Sequence, residues 1–145
     1  MKLKLPIATF LNAIEEKNVY YFSSKRINTN IPHNYICLKR TDSDLLILSC
    51  CTSKFDTVKR FIEIRNLPFE TLVWIKPDND IFDRETYINC NQYFTFTVEQ
   101  FAEMYKNEVL EYKGKISDNH FEQIINGLII SPLIDEETKE LLPTI

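Results

Sequence analysis

The chain has 145 residues and a mass of 17.2 kDa, which is the size of a single domain with a sizeable core, so we expect residues 1–145 to form one domain. Apolar residues make up 44% and charged residues 26%, and no window approaches the roughly 20 apolar residues of a membrane span, which excludes a disordered or membrane-embedded chain. The formal net charge of -4 argues against an extensive duplex-binding surface, because phosphate contacts normally leave a basic footprint.

The first half of the chain predicts a helix, a hairpin and a second helix. Residues 6–17 carry apolar side chains at helical spacing, and Pro6 suits the first turn, so this segment is an amphipathic helix rather than a signal peptide. Three strand-like runs follow, at residues 19–22, 34–38 and 45–51. Polar residues 39–44 join the last two runs into an antiparallel hairpin, and an inserted helix spans residues 55–66 and ends before Pro68.

The second half predicts more short strands and then helices. The strand-like runs lie at residues 71–75, 86–91 and 93–96, with a strand or loop at 111–116. Thr97 and Gln100 have the spacing of a capping box, and Phe96 and Phe101 that of a hydrophobic staple, so a helix begins at Val98. Ser117 is placed to cap a helix that stops at Ser131, and a last helical turn spans 135–142.

These elements predict an α+β fold. Short sequential strands without βαβ alternation favour a small, mostly antiparallel β-barrel, closed or half-closed, over a doubly wound sheet. We expect the barrel to span approximately residues 18–97, with N-terminal, inserted and C-terminal helices and a C-terminal helical part at 98–145.

Charge is distributed unevenly along the chain. Residues 24–66 contain eight Lys and Arg against four Asp and Glu, a formal charge of +4, whereas residues 67–145 contain six against fifteen, a charge of -9. Salt screens charges beyond about a Debye length, so a phosphate backbone is attracted by a local basic face more than by the net charge of the protein. The candidate RNA-binding residues from this segment are Lys25, Lys54, Lys59 and Arg60. The alternative is that these are ordinary solvated charges balanced by the acidic helices.

Cofactor and metal motifs are absent from the sequence. Two glycines cannot build a phosphate cradle, and no P-loop or dinucleotide motif occurs. Four cysteines without C-x-x-C spacing, and two histidines, give little support for zinc, so we expect no cofactor and no metal. The acidic segment at residues 78–83 resembles a turn more than a metal loop. Buried free thiols predict a cytoplasmic protein.

A few side chains could support metal-free RNA cleavage by a 2′-hydroxyl, which needs a base, a proton donor and stabilisation of the transition state. The candidate catalytic residues are Arg26, His33, Thr52 and Ser53, with Lys54 beside them. His33 follows Pro32 at the entrance of a strand, although a loop histidine is often structural or merely exposed. Ser53 could equally be the N-cap of the helix that follows it.

The order of these segments resembles the PemK/MazF-like toxins. Pro32-His-Asn-Tyr-Ile-Cys-Leu38 and Leu46-Ile-Leu-Ser-Cys-Cys-Thr-Ser-Lys54 are similar to the family's "G-H-R-P-x-L-V-L" strand and to its strand ending in "T-S". Glu85-Thr-Tyr-Ile-Asn-Cys-Asn-Gln92 looks like its "S-Y-V-x-x-D-Q" strand, and Lys113-Gly-Lys-Ile-Ser117 like "I-G-x-L-S". The resemblance covers roughly residues 18–130.

The resemblance implies an SH3-like barrel and metal-independent endoribonuclease activity on single-stranded RNA. It also implies a homodimer that an antitoxin protein neutralises. The family's hydroxyl role would fall on Thr52 or Ser53. Asn34 stands where the family has an arginine, so Arg26 or His33 would have to replace that group.

Two other interpretations compete with a ribonuclease. The missing arginine also suits a non-catalytic barrel module that binds RNA or a protein partner. A phage or mobile-element accessory protein, whose helices mediate oligomerisation, is a further alternative.

Overall fold

An antiparallel sheet with helices on its faces makes up the computed structural model, which describes residues 4–24, 31–78 and 80–144. Within these ranges the helices are α1 (Ile7–Asn12), α2 (Phe55–Ile64), α3 (Val98–Lys106), α4 (Asp118–Ile130) and α5 (Glu136–Leu141), with a 3₁₀ turn at Phe69–Thr71. The strands are β1 (Asn18–Phe22), β2 (His33–Arg40), β3 (Leu45–Thr52), β4 (Leu72–Ile75), β5 (Thr86–Asn89), β6 (Phe94–Thr97) and β7 (Glu111–Lys115). No helix in the described ranges is long and apolar enough to cross a membrane.

The seven strands form a sheet in the order β4-β5-β3-β2-β1-β7, and β6 pairs with β3 beside this path. β3 is the central strand: its first half pairs with β6 through Leu45↔Thr97, and its end pairs with β5 through Thr52↔Tyr87. The antiparallel sheet and the hairpin of β2 and β3 are therefore confirmed. Among the described residues the path of paired strands is not closed, so the predicted barrel is not confirmed.

Both faces of the central strands β2 and β3 are buried. Tyr35 and Cys37 of β2 enter a core with Phe10 of α1 and Phe101 of α3. The alternate residues of β2 lie in a second core with α4 and the C-terminal segment. A strand covered on both faces needs apolar residues at every position, which explains the continuous apolar runs of the central strands.

Side-chain caps set several helix boundaries as the sequence predicts. The Thr97 hydroxyl accepts from the Gln100 backbone N–H at 3.1 Å, and the Gln100 side chain accepts from the Thr97 N–H at 2.8 Å. The staple rings of Phe96 and Phe101 lie 6.0 Å apart. Ser117 caps α4 by accepting from the His120 N–H at 3.1 Å. The capping box, the staple and this cap are confirmed.

The N-terminal helix is shorter than predicted, since α1 ends at Asn12 and residues 13–17 form a turn. The Arg40 guanidinium donates to the carbonyls of Leu11 and Ile14 at 2.6 and 3.3 Å, which replaces helical hydrogen bonds at this end. Lys17 has a φ of 76°, and this left-handed conformation turns the chain into β1. Arg40 therefore has a structural role at the end of α1.

Gly127 of α4 lies directly against Cys90. A Cβ placed on Gly127 would be 2.8 Å from the Cys90 Cβ and Sγ and 3.1 Å from the Glu70 carbonyl oxygen. We expect Gly127→Ala to lower the free energy of unfolding by about 2 kcal/mol, because overpacking outweighs the higher helix propensity of alanine. Asn126→Ala, on the exposed side of the same helix, is the matched control and should be nearly neutral in urea unfolding. A more stable Gly127→Ala protein would contradict the close packing.

Candidate functional site

The antiparallel register brings the start of β2 and the end of β3 to the same edge of the sheet. The pairing of β2 with β3 reaches Tyr35↔Cys50, and His33 and Thr52 lie two residues beyond this pair on their own strands. His33 is the register partner of Phe22, the last residue of β1. Two of the predicted catalytic residues, distant in sequence, thus lie at one end of the hairpin and line the same groove.

His33 is held in one orientation by its own loop. Its Nδ1 is 2.9 Å from the carbonyl oxygen of Ile31, and because a carbonyl only accepts, Nδ1 carries the proton of this hydrogen bond. In the neutral ring Nε2 then has the free lone pair. An oriented imidazole with an unprotonated Nε2 is suited to accept a proton from a substrate hydroxyl.

The chain leaves β3 through Thr52, Ser53 and Lys54. The Thr52 Oγ1 accepts from the Lys54 backbone N–H at 3.1 Å, which leaves its own proton available to a ligand. Lys54, not Ser53, is the N-cap residue of α2, and no side chain caps this helix. The interpretation of Ser53 as a helix cap is therefore wrong. Its exposed hydroxyl has no hydrogen bond within the described part of the chain.

His33, Thr52, Ser53 and Lys54 line one groove of about 1340 Å³. The first turns of α2, residues 77–78 and 80–84, Thr86 and the middle of β7 contribute to its other walls. Lys59 and Arg60 are exposed on α2 outside this lining. Lys25 and Arg26 lie outside the described residues, so the structure places neither of them.

Lys113 is a cation of the groove that the sequence did not single out. It lies in β7 where the register with β1 shifts, between the pairs Val19↔Gly114 and Tyr20↔Tyr112, so it is the extra residue of a β-bulge. Its Nζ lies 5.8 Å from the centre of the Tyr21 ring, and both residues line the groove. Bulges re-aim side chains and are common beside active sites. The pairing of β1 with β7 reveals this position, whereas the local sequence reads only as a charged strand or loop.

On the acidic side of the groove, the carboxylate of Asp78 is hydrogen-bonded to the backbone of its own loop. The Asp78 Oδ1 accepts from the backbone N–H groups of Asp80, Ile81 and Phe82 at 2.7–3.0 Å. Burial opposes ionisation of this carboxyl, but these hydrogen bonds outweigh it and hold the pKa of Asp78 below its usual value. The side chain thus builds a turn, as predicted. No cluster of three or more metal-ligating side chains occurs among the described residues.

The cysteines are free thiols, and Cys37, Cys51 and Cys90 are buried. Cys50 is half-buried and lines the groove, but burial raises the pKa of its thiol to about 12. The thiolate is the nucleophilic form, so Cys50 is protonated and poorly reactive at neutral pH. The ionisable groups that remain in the groove are the imidazole of His33, the ammonium groups of Lys54 and Lys113, the guanidinium of Arg84 and the carboxylates of its acidic segment, beside the hydroxyls of Thr52 and Ser53.

Comparison with known proteins shows the fold. No protein-family model matches the chain, and no curated protein matches it. Among solved structures, it is similar to an endoribonuclease in complex with its cognate antitoxin from a mycobacterial species, with a TM-score of 0.52 and 13% sequence identity. The match covers 92% of this chain and 100% of that one. The chain therefore has the mixed α/β, antiparallel fold of that endoribonuclease.

Proposed function

We propose that this protein is a toxin-type endoribonuclease of the PemK/MazF kind, which cleaves single-stranded RNA in the groove without a metal ion. The observation that carries the proposal is that His33, Thr52, Ser53 and Lys54 line one groove. Likeness of the fold to an endoribonuclease supports it. The sequence resemblance to the PemK/MazF-like toxins also supports it.

Each group has a role that its surroundings permit. The His33 Nε2 takes the proton of the attacking 2′-hydroxyl, since its Nδ1 is committed to the Ile31 carbonyl. The Thr52 hydroxyl donates to a non-bridging phosphate oxygen, while the ammonium groups of Lys54 and Lys113 offset the charge of the transition state. The 2′-oxygen bonds to phosphorus as the 5′-oxygen leaves with a proton from solvent. The products are a 2′,3′-cyclic phosphate and a 5′-hydroxyl.

The proposal also includes a partner protein. The structural neighbour is bound to its cognate antitoxin, and we propose an antitoxin protein as a partner of this chain. The homodimer, the SH3-like barrel, the single domain and the cytoplasmic location stay predictions.

Incubation of the purified protein with single-stranded RNA in EDTA tests the activity. We expect cleavage that leaves 2′,3′-cyclic phosphate ends, and loss of cleavage in the combined variant with His33→Ala, Arg26→Ala and Thr52→Ala. His120→Ala is the matched control, because it removes the chain's other histidine, which lies outside the groove lining. An inactive wild type, or a combined variant that cuts equally well, would refute the catalytic proposal.

One observation favours RNA binding without catalysis as a second candidate. Asn34 stands in place of the family's arginine, and its Oδ1 is buried without a hydrogen-bond partner among the described residues. Asn34 also lines the groove, so a base amino group or a 2′-hydroxyl could donate to this oxygen. Salt-dependent RNA binding without turnover in the same assay would support this candidate over the ribonuclease.

A further inference from the structure

A strip of aromatic side chains extends from the groove across one face of the sheet. Thr52 is the register partner of Tyr87, and Tyr87 is the register partner of Trp74. Directly paired residues of antiparallel strands project from the same face, so these three side chains form a row across β3, β5 and β4. The Phe55 ring at the start of α2 lies 5.1 Å from the Tyr87 ring. Phe55, Tyr87 and Trp74 are called the aromatic strip.

The aromatic strip is accessible to solvent. The exposed fraction is 46% for Trp74 and 37% for Phe55, and Tyr87 is half-buried. The strand neighbours Val73 and Ile88 point into the core instead, so core packing does not require aromatic residues on this face. Adjacent exposed rings mark an interaction site more often than scattered ones do.

The Trp74 ring is oriented by a hydrogen bond. Its Nε1 donates to the carboxylate of Glu85, which satisfies the polar edge of the indole. The exposed part of the side chain is therefore mainly apolar ring surface, which suits stacking with a planar ligand.

Lysines accompany the aromatic strip on both sides. The Lys76 Nζ lies 5.2 Å from the centre of the Trp74 ring, and the Lys59 Nζ lies 5.9 Å from that of Phe55. Lys59 also pairs with Glu63 at 3.7 Å, in an exposed ion pair that contributes little stability. Aromatic rings interleaved with lysines are typical of surfaces that bind single-stranded nucleic acid, whereas lysine is depleted from protein–protein interfaces.

We propose that the aromatic strip is a base-stacking subsite for single-stranded RNA, continuous with the groove at Thr52. The inference rests on the proposed function and extends it to nucleotides beside the cleaved phosphate. Neighbouring strands are about 4.8 Å apart, so the strip guides the RNA roughly 10 Å beyond Thr52. Bases stack on Tyr87 and Trp74, and Lys59 and Lys76 contact phosphates. Because every base has a π-face, the strip adds affinity without selecting sequence.

Trp74 is the only tryptophan in the chain, so its fluorescence reports on this subsite directly. The probe is a single-stranded RNA of about nine nucleotides, within the usual site size, with 2′-O-methyl groups that prevent cleavage. We expect the RNA to quench Trp74 emission. A duplex of the same sequence should have much less effect, because its bases are already stacked.

Variants measure the contribution of the strip to affinity. Trp74→Ala should raise the Kd for the labelled RNA about tenfold, since stacking of one base contributes roughly 1–3 kcal/mol. Trp74→Phe keeps an aromatic face and should restore most of the affinity. Phe69→Ala is the matched control, because Phe69 is an exposed aromatic residue outside the strip and should leave the Kd unchanged.

The outcomes separate this inference from the catalytic proposal. Quenching of Trp74 by RNA in a protein that does not cleave RNA would support the subsite and refute catalysis. Cleavage by a protein whose Trp74→Ala variant binds RNA as tightly as wild type would overturn the subsite alone. If Trp74 emission changes with protein concentration but not on addition of RNA, the base-stacking subsite is overturned. The aromatic strip would then be an interface between copies of the chain.

Discussion

A His33→Asn variant is expected to lose RNA cleavage by at least about 100-fold while it folds like the wild type, because general base catalysis typically contributes 10²–10⁴-fold. The asparagine amide can take the position of Nδ1 and keep the hydrogen bond to the Ile31 carbonyl. It has no counterpart of Nε2. The variant therefore removes the proposed base and preserves the contact that orients it, and initial rates on a defined single-stranded RNA measure the effect.

The matched variant His33→Gln distinguishes proton transfer by the imidazole from its hydrogen bond to the Ile31 carbonyl. Glutamine can reach the position of Nε2 but loses the donor to Ile31, and its amide does not act as a base. Both variants should be inactive if the imidazole transfers the proton. If His33→Asn keeps full activity, His33 only anchors its loop, and the base must be sought among other groups. Urea unfolding should place both variants within about 0.5 kcal/mol of wild type, as expected for a half-buried loop-edge residue.

The local patterns of the sequence predict most elements, because each pattern has a local physical cause. The Thr97–Gln100 capping box and the Ser117 cap depend on residues only a few positions apart. The polar turn between β2 and β3 is equally local. Boundaries set by distant partners are predicted less well. The end of α1 depends on Arg40, 26 and 29 positions further along the chain, and no local pattern contains that information.

The same distinction applies to the candidate site. His33 and Thr52 can be proposed from the sequence, because each stands at the polar end of an apolar run. Lys113 lines the groove because of the bulge in β7 opposite β1, which the sequence alone does not predict. Trp74 shares a face with Thr52 because both strands pair with β5, and this pairing is equally absent from the local sequence. Strand order and register are long-range properties. A sequence that contains six or seven short strands does not specify them without the packing of both sheet faces.

β5 ends at Asn89, earlier than the strand predicted at residues 86–91. It ends there because a network of buried polar side chains begins at Asn89. The Asn91 backbone N–H donates to the Asn89 Oδ1 at 3.0 Å and turns the chain. The Asn91 side chain donates to Thr71 Oγ1 and Asn89 Oδ1, both at 2.9 Å, and accepts from the Ser131 hydroxyl at 2.6 Å. It therefore ties β5 to the turn before β4 and to the end of α4.

Asn91→Ala is expected to lower the free energy of unfolding by about 4 kcal/mol, because it removes three buried hydrogen bonds and leaves the Ser131 hydroxyl proton without an acceptor, while the Ser131 Oγ still accepts from the Leu133 N–H. Asn91 is 5% exposed and Ser131 is 0% exposed, so water cannot replace the lost partners without rearrangement. Urea unfolding measures the effect, and Gln92→Ala, at the adjacent exposed position, is the control that should be nearly neutral.

A double-mutant cycle with Ser131→Ala tests whether the two side chains act as one unit. Each single variant leaves a buried polar atom without its partner, whereas the double variant removes both members of the Ser131–Asn91 hydrogen bond. The combined loss should be smaller than the sum of the single losses by about 1 kcal/mol or more. Additive losses would show that the network does not couple α4 to the sheet. Coupled losses would show that the strand carrying Tyr87 is held in register with Thr52 and Trp74 from outside the groove.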